Sequence, residues 1–243
     1  MLKAILLFLK GLGLCLLVLF VFQTGKIVLS ANRTDYSAKP FERLDHPANF
    51  KVLFLGDSTA VGVGSGNPRN STAGWFSQDF PEAGIENISQ SGLRLAGLRG
   101  KLKLVKTGPY DLIVIQIGAN DIMHLTPLNA VDRDIRFVLK TLTPQARQII
   151  FLHSGDVGTA PIFIWPFTWI FSKRSYQVRA IYQKAAQDTQ AFYVDLIGRK
   201  IDRVFGADQK KYYALDGLHL TGEGYRIWYR AIREKLNNAG SKS

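Results

Sequence analysis

The chain has 243 residues, enough for one sizeable core, and its 47% apolar and 21% charged content excludes wholesale disorder. Its formal net charge is +12, and its one cysteine, Cys15, excludes an internal disulfide framework and any cysteine-based zinc site. The basic excess is spread over the body: Arg94, Arg99, Lys101, Lys103 and Lys106, then Lys173, Arg174 and Arg179, are interleaved with apolar residues as on the outer face of an amphipathic helix. A solvated face is the first reading of these sets and contact with anionic lipid headgroups the second; no nucleic-acid recognition module or aromatic stacking set accompanies them.

Residues 1–31, MLKAILLFLKGLGLCLLVLFVFQTGKIVLSA, are apolar or glycine without break from Gly11 to Phe22. Ala4 to Phe22 covers nineteen residues if Lys10 reaches back to the interface, which meets the length a bilayer needs. A cleaved signal peptide competes, but Leu29-Ser30-Ala31 places a large residue where a small one is wanted, which favours an uncleaved single anchor. Flanking charge is nearly balanced, Lys3, Lys10 and the amino group on one side and Lys26, Arg33 and Lys39 against Asp35 on the other, slightly favouring a body outside the cytoplasm, on the periplasmic side in a bacterial envelope. Residues 32–49 are polar, carry Pro40 and Pro47, and are expected to form a linker; a single domain is expected over 50–243.

That domain opens with Val52-Leu53-Phe54-Leu55-Gly56, a run suited to a strand buried on both faces of a parallel sheet, followed by Asp57-Ser58 and then Gly62, Gly64 and Gly66. Thr72 to Phe80 reads as a short helix and Ile85 to Ser89 as a second strand, with Gln90-Ser91-Gly92 at its end. Leu95, Leu98, Leu102 and Val105 recur at helical spacing. Tyr110 to Ile117 is the clearest central strand and runs into Gly118-Ala119-Asn120-Asp121. Thr126-Pro127 signals a helix start, with Leu128, Val131, Ile135, Val138 and Leu142 as its buried stripe, and Gln148 to His153 is a fourth strand. Pro161 to Phe171, PIFIWPFTWIF, is either an insertion packed on the core or an exposed apolar flap that meets acyl chains or the bilayer; its two prolines argue against a regular helix. Val178, Ile181, Tyr182 and Ala185 mark a further helix, Ala191 to Leu196 a fifth strand, and Tyr225, Trp228, Ala231 and Ile232 a closing helix. Alternating strands and helices call for a parallel sheet covered on both faces, three layers with right-handed crossovers.

Ligands of such sheets sit beyond the carboxyl ends of the strands, where Ser58, Gly92 and Asn120 all fall, together with Asp216-Gly217-Leu218-His219 before the last helix. Taken alone, Gly56-Asp57-Ser58 is as well read as a turn whose Asp or Ser caps a helix. Of the four histidines, His46 precedes the domain, His124 follows Asn120 in a loop and His153 ends a strand; His219 alone has an aspartate three residues upstream, a spacing that lets a carboxylate accept the imidazole Nδ1 proton. A serine hydroxyl needs such a base to become a nucleophile, and its tetrahedral intermediate needs donors aimed at the oxyanion.

Gly56-Asp57-Ser58, the glycine of Gln90-Ser91-Gly92, Gly118-Ala119-Asn120-Asp121 and Asp216-Gly217-Leu218-His219 stand in the order of the four blocks of the SGNH or GDSL hydrolases, which the chain resembles over residues 51–238. The resemblance implies an α/β/α sandwich on a flavodoxin-like five-stranded parallel sheet, Ser58 as nucleophile, His219 as base and then acid, and Asp216 as its orienter. It implies an oxyanion hole from Ser58, Gly92 and Asn120, with Gly97 as rival to Gly92, and a structural role for Asp57. Thr59 stands where leucine often does. The implied reaction is hydrolysis of a carboxylic ester through an acyl-enzyme, with no metal or cofactor. The anchor, the basic faces and the PIFIWPFTWIF segment favour a lipid-like or acylated substrate of lysophospholipase type. Acetyl removal or acyl transfer on a cell-envelope glycan is the second reading, and a non-catalytic binding module on the same fold is a third, of another class. No obligate protein partner is evident.

Overall fold

The computed structural model of the chain describes residues 1–31, 33–35, 37–44, 49–106, 109–189 and 191–240. His46 and Pro47, and the end of the expected domain at 241–243, lie outside the described residues. The apolar N-terminus forms one long helix, α1 (Leu2–Ala31), followed after the intervening residues by β1 (Phe50–Gly56), the one-turn helix α2 (Ser58–Val61), α3 (Thr72–Asp79) and β2 (Ala83–Asn87). Next come α4 (Leu95–Lys101), β3 (Tyr110–Gln116), the short α5 (Ala119–Met123), α6 (Leu128–Leu142) and β4 (Ala146–Leu152). The last third holds α7 (Phe167–Thr189), β5 (Phe192–Tyr193), α8 (Arg199–Ala207), α9 (Gln209–Tyr212) and α10 (Gly222–Gly240).

The five strands form a parallel sheet in the order β2-β1-β3-β4-β5, the flavodoxin-like order. Period-two alternation along the central strands divides their side chains between two cores. Leu53, Leu55, Ile113, Ile115, Ile149 and Phe151 pack under α4, α6 and α7 against Leu95, Leu98, Ile135, Val138, Val178 and Tyr182. Val52, Phe54, Leu112, Val114, Ile150 and Leu152 face the other way, onto Phe76 of α3 and Tyr225, Trp228 and Tyr229 of α10. Both faces of the sheet are thereby dry, which is why these strands read as near-continuous apolar runs.

Several element bounds differ from expectation for local reasons. β2 starts and ends two residues before Ile85–Ser89, although the N–H groups of Ile88 and Gln90 still donate to the Phe54 and Gly56 carbonyls at 3.1 and 3.0 Å. β5 is two residues long because Asp195 turns the chain, its Oδ1 accepting the Ile197 N–H at 3.1 Å. Pro127 has ψ 134°, so α6 begins after it and not at it. α7 begins at Phe167, immediately behind Pro166, where a missing N–H costs nothing, so the second proline starts a helix instead of breaking one. The PIFIWPFTWIF segment divides: Ile162, Phe163 and Phe171 are in the core, whereas Trp165 and Trp169 are 69% and 61% exposed. In the stretch expected to be linker, Arg43 pairs with Ile85 across the outer edge of β2, each N–H donating to the other's carbonyl at 2.8 Å.

Candidate active site

Gly56 ends β1 where the sheet is most crowded. A Cβ there would lie 1.8 Å from the Gln116 carbonyl oxygen, so glycine lets the chain leave the sheet alongside β3. Asp57 follows as the N-cap of α2, its Oδ1 accepting the Thr59 N–H at 2.9 Å and the Thr59 hydroxyl at 2.7 Å. Burial raises the Asp57 pKa, and those hydrogen bonds oppose it. The cap sets Ser58 on the first turn of α2, where backbone N–H groups have no helical acceptor.

His219 reaches the same edge from the opposite end of the chain. Its Nε2 lies 2.8 Å from Ser58 Oγ and its Nδ1 2.7 Å from Asp216 Oδ2. The other carboxylate oxygen of Asp216 accepts the backbone N–H groups of Leu218 and His219 at 2.8 and 2.9 Å, which folds the four-residue turn onto itself. Burial works to raise the Asp216 pKa, but the hydrogen bond and charge of His219 and the two N–H donors outweigh it and hold the group at about 2. An ionised Asp216 keeps the imidazole proton on Nδ1, leaving Nε2 to accept the Ser58 hydroxyl proton. The turn is locked from outside as well: the Ala214 N–H donates to the His219 carbonyl at 2.8 Å, and Ile162 N–H donates to Gly217 O at 3.0 Å. Gly217 has φ +68°, and a Cβ there would press on Ile162 N at 3.2 Å.

Asn120, second residue of α5, donates from Nδ2 to the Leu93 carbonyl at 3.1 Å, so its amide is held against the Gly92–Leu93 turn. Asp121 Oδ2 accepts the Leu95 N–H at 2.9 Å and ties the same turn to the start of α4. Gly97 lies within α4, packed against Leu93, and not in the turn that Asn120 grips; Gly92 does. Ser58, Asn120, Asp216 and His219 are all buried.

The other histidines are committed elsewhere. His153 accepts the Gly155 N–H at Nδ1 and contacts Tyr193 Oη through Nε2, both at 3.2 Å, and burial pulls its pKa down to about 4. His124 donates from Nδ1 to the Asn120 carbonyl at 2.8 Å.

A cleft beside Ser58 and His219 is walled by Leu196, Ile201, Phe205, Leu218 and Trp228, with Thr159 and Ala160 also lining it. Ile201 and Phe205 belong to α8, an element absent from the sequence reading; Ile201, Val204 and Phe205 at i, i+3 and i+4 are the signal that marks it.

The fold is that of the three-layer α/β ester hydrolases. The model of the GDSL-like lipase/acylhydrolase family matches residues 54–227, and the chain belongs to that family. No curated protein sequence matches the chain. Among solved structures it is similar to a lipolytic protein of the G-D-S-L family from Veillonella parvula, with TM-score 0.59 and 16% identity over 76% of this chain and 97% of the other. An acetylxylan esterase from Geobacillus stearothermophilus superposes with TM-score 0.55 and 20% identity over 78% and 94% of the two chains. A psychrotrophic esterase from Pseudoalteromonas gives 0.58 and 14% over 79% and 100%.

Proposed function

We propose that the protein is a membrane-anchored serine ester hydrolase that cleaves lipid-like acyl esters through an acyl-enzyme. The observation that carries this is the unbroken run from Asp216 through His219 to Ser58, with contacts of 2.7 and 2.8 Å. Ser58 Oγ attacks the ester carbonyl carbon while its proton passes to His219 Nε2, and Asp216 stabilises the imidazolium that forms. The oxyanion takes hydrogen bonds from the Ser58 and Gly92 N–H groups and from the Asn120 amide hydrogen not given to Leu93. The carbon–oxygen bond to the alcohol then breaks as Nε2–H returns a proton to the leaving oxygen. Water repeats the sequence on the acyl-enzyme, releasing the carboxylic acid and restoring the Ser58 hydroxyl.

The apolar walls given by Leu196, Ile201, Phe205 and Trp228 support an acyl chain longer than acetyl. The helix Leu2–Ser30 is long and apolar enough to cross a membrane, which supports anchoring, and the flanking charge favours a body outside the cytoplasm. The test is covalent labelling by a fluorophosphonate together with p-nitrophenyl esters of graded chain length. Wild type labels and turns over, while Ser58→Ala does neither; an active, labelled Ser58→Ala protein rejects the assignment. Activity confined to acetyl esters moves the substrate to an acetylated glycan.

A further inference from the structure

α1 is not a free tether. Residues 1–18 are exposed, but from Leu19 onward one face is covered: Leu19, Gln23, Lys26 and Ser30, at spacings of four, three and four, are the positions that lose exposure. Gln23 is 3% exposed, and its amide makes two bonds to a segment about 140 residues away, donating to the Ile162 carbonyl at 3.1 Å and accepting the Ile164 N–H at 3.0 Å. Lys26 adds a bond from Nζ to the Pro161 carbonyl at 2.8 Å. A leader destined for removal has no use for a buried amide matched to the mature domain.

These contacts fix where the span ends. Gln23 and Lys26 are occupied by protein, so the hydrocarbon boundary lies just before them. Counting back about twenty residues at about 1.5 Å each covers roughly 30 Å and arrives at Lys3, the other boundary. Lys10, about 10 Å inside, reaches toward the near interface along its own stem. The segment clasped at the far boundary carries Trp165 and Trp169, the two exposed tryptophans, with Lys173 Nζ 5.4 Å from the Trp169 ring centroid. Exposed indoles beside a cation match the chemistry of the headgroup layer. The same loop begins in the cleft lining, at Thr159 and Ala160, and bonds through Ile162 to Gly217 in the histidine turn.

We propose that the Gln23 clasp and the Trp165/Trp169 surface seat the domain on the bilayer so that the cleft opens at the lipid interface, where amphiphilic esters present their carbonyls. This rests on the anchored-hydrolase reading and names the phase from which that site draws its substrate.

The experiment uses the full chain in phosphatidylcholine vesicles containing a phospholipid brominated near the top of its acyl chain. Tryptophan fluorescence of the wild type is quenched, and most of that quenching disappears in the Trp165→Phe/Trp169→Phe variant. Equal quenching of the two proteins, or none of either, leaves the surface to some other partner and overturns the proposal. Gln23→Leu keeps the span apolar and removes the clasp: hydrolysis of an ester embedded in the vesicles falls about tenfold, while a short soluble ester is hydrolysed at the wild-type rate within about twofold. An equal effect on both esters, or no effect on either, also overturns it. If the wild type hydrolyses neither ester, the hydrolase reading has failed, and the quenching result still stands or falls by itself.

Discussion

Asp216 divides its two oxygens between tasks, one holding the turn through the Leu218 and His219 N–H groups and the other holding the imidazole. Because its folded pKa of about 2 lies below the ordinary value of 3.8, the folded state binds fewer protons between those values. The stabilisation is therefore full above about pH 4 and is lost as pH falls through about 2, amounting to about 2 kcal/mol. Urea unfolding in detergent at stepped pH should show wild type losing that much more stability than Asp216→Asn over this window; parallel losses mean the carboxylate is not held as described. Asn120→Ala should lower kcat by about 10²-fold or more with KM little changed, the usual effect of one oxyanion donor, and an unchanged kcat removes it from the role. Replacing His153 with Gln should leave kcat near wild type, since both its ring nitrogens serve Tyr193 and Gly155; a loss equal to that of a His219 variant would reverse this. Ser58, Asp216 and His219 were legible in the sequence as candidates because each is a reactive side chain at a strand end or in a tight turn. Gly92 was harder, since a residue acting through its backbone leaves no chemical mark, and only its place beside the Asn120 amide separates it from Gly97.

Elements announce themselves in proportion to how much of their length is buried and how regularly. β1, β3 and β4 are buried on both faces over most of their length and were plain as apolar runs; α6, amphipathic from Leu128 to Leu142, was plain by its stripe. β5 pairs at two residues only, and nothing in Ala191 to Leu196 says that Asp195 will turn the chain. The helix α8 was missed because its apolar positions are few and sit among charges, yet it supplies Ile201 and Phe205 to the cleft. Phe205, 7% exposed, packs at tilted and edge-on angles against Tyr212 and Tyr213 with ring centroids 5.3 and 5.6 Å away, so it is a fixed wall. Phe205→Ala should lower the kcat/KM ratio of octanoyl to acetyl ester by about tenfold or more, the worth of lost apolar contact in a pocket. A ratio that does not move would put the acyl chain somewhere other than along α8.

At the scale of the molecule, the two cores flanking the sheet contain, among the described residues, none of α1, and the candidate site lies outside them, Ser58 and Asn120 just beyond strand ends and Asp216 and His219 in the turn before α10. The two cores therefore form without the N-terminal helix, whose Gln23 and Lys26 bonds reach the loop at residues 161–164 instead, but the domain does use residues 41–44 between that helix and β1. Arg43 is bonded across the β2 edge to Ile85, its guanidinium donates to the Ser77 carbonyl at 2.8 Å and to the Phe80 and Pro81 carbonyls, and Phe41 packs against the second core. An edge strand left bare presents unpaired backbone, and Arg43 covers part of it. Two truncations separate anchor from domain. A protein of residues 41–243 gives up the three Gln23 and Lys26 bonds and should melt, by circular dichroism, below the full chain by no more than those bonds supply, about 3 kcal/mol, while hydrolysing soluble esters normally. Starting instead at residue 50 also removes the Arg43 bonds and the Phe41 contact; counting only the two backbone bonds and the Phe41 contact at about 1 kcal/mol each, that amounts to a further loss of about 2–3 kcal/mol. For a domain of this size that lowers the melting temperature by roughly 4–12 °C. If the two truncated proteins melt together, residues 41–44 are only a tether, and the domain begins where β1 does.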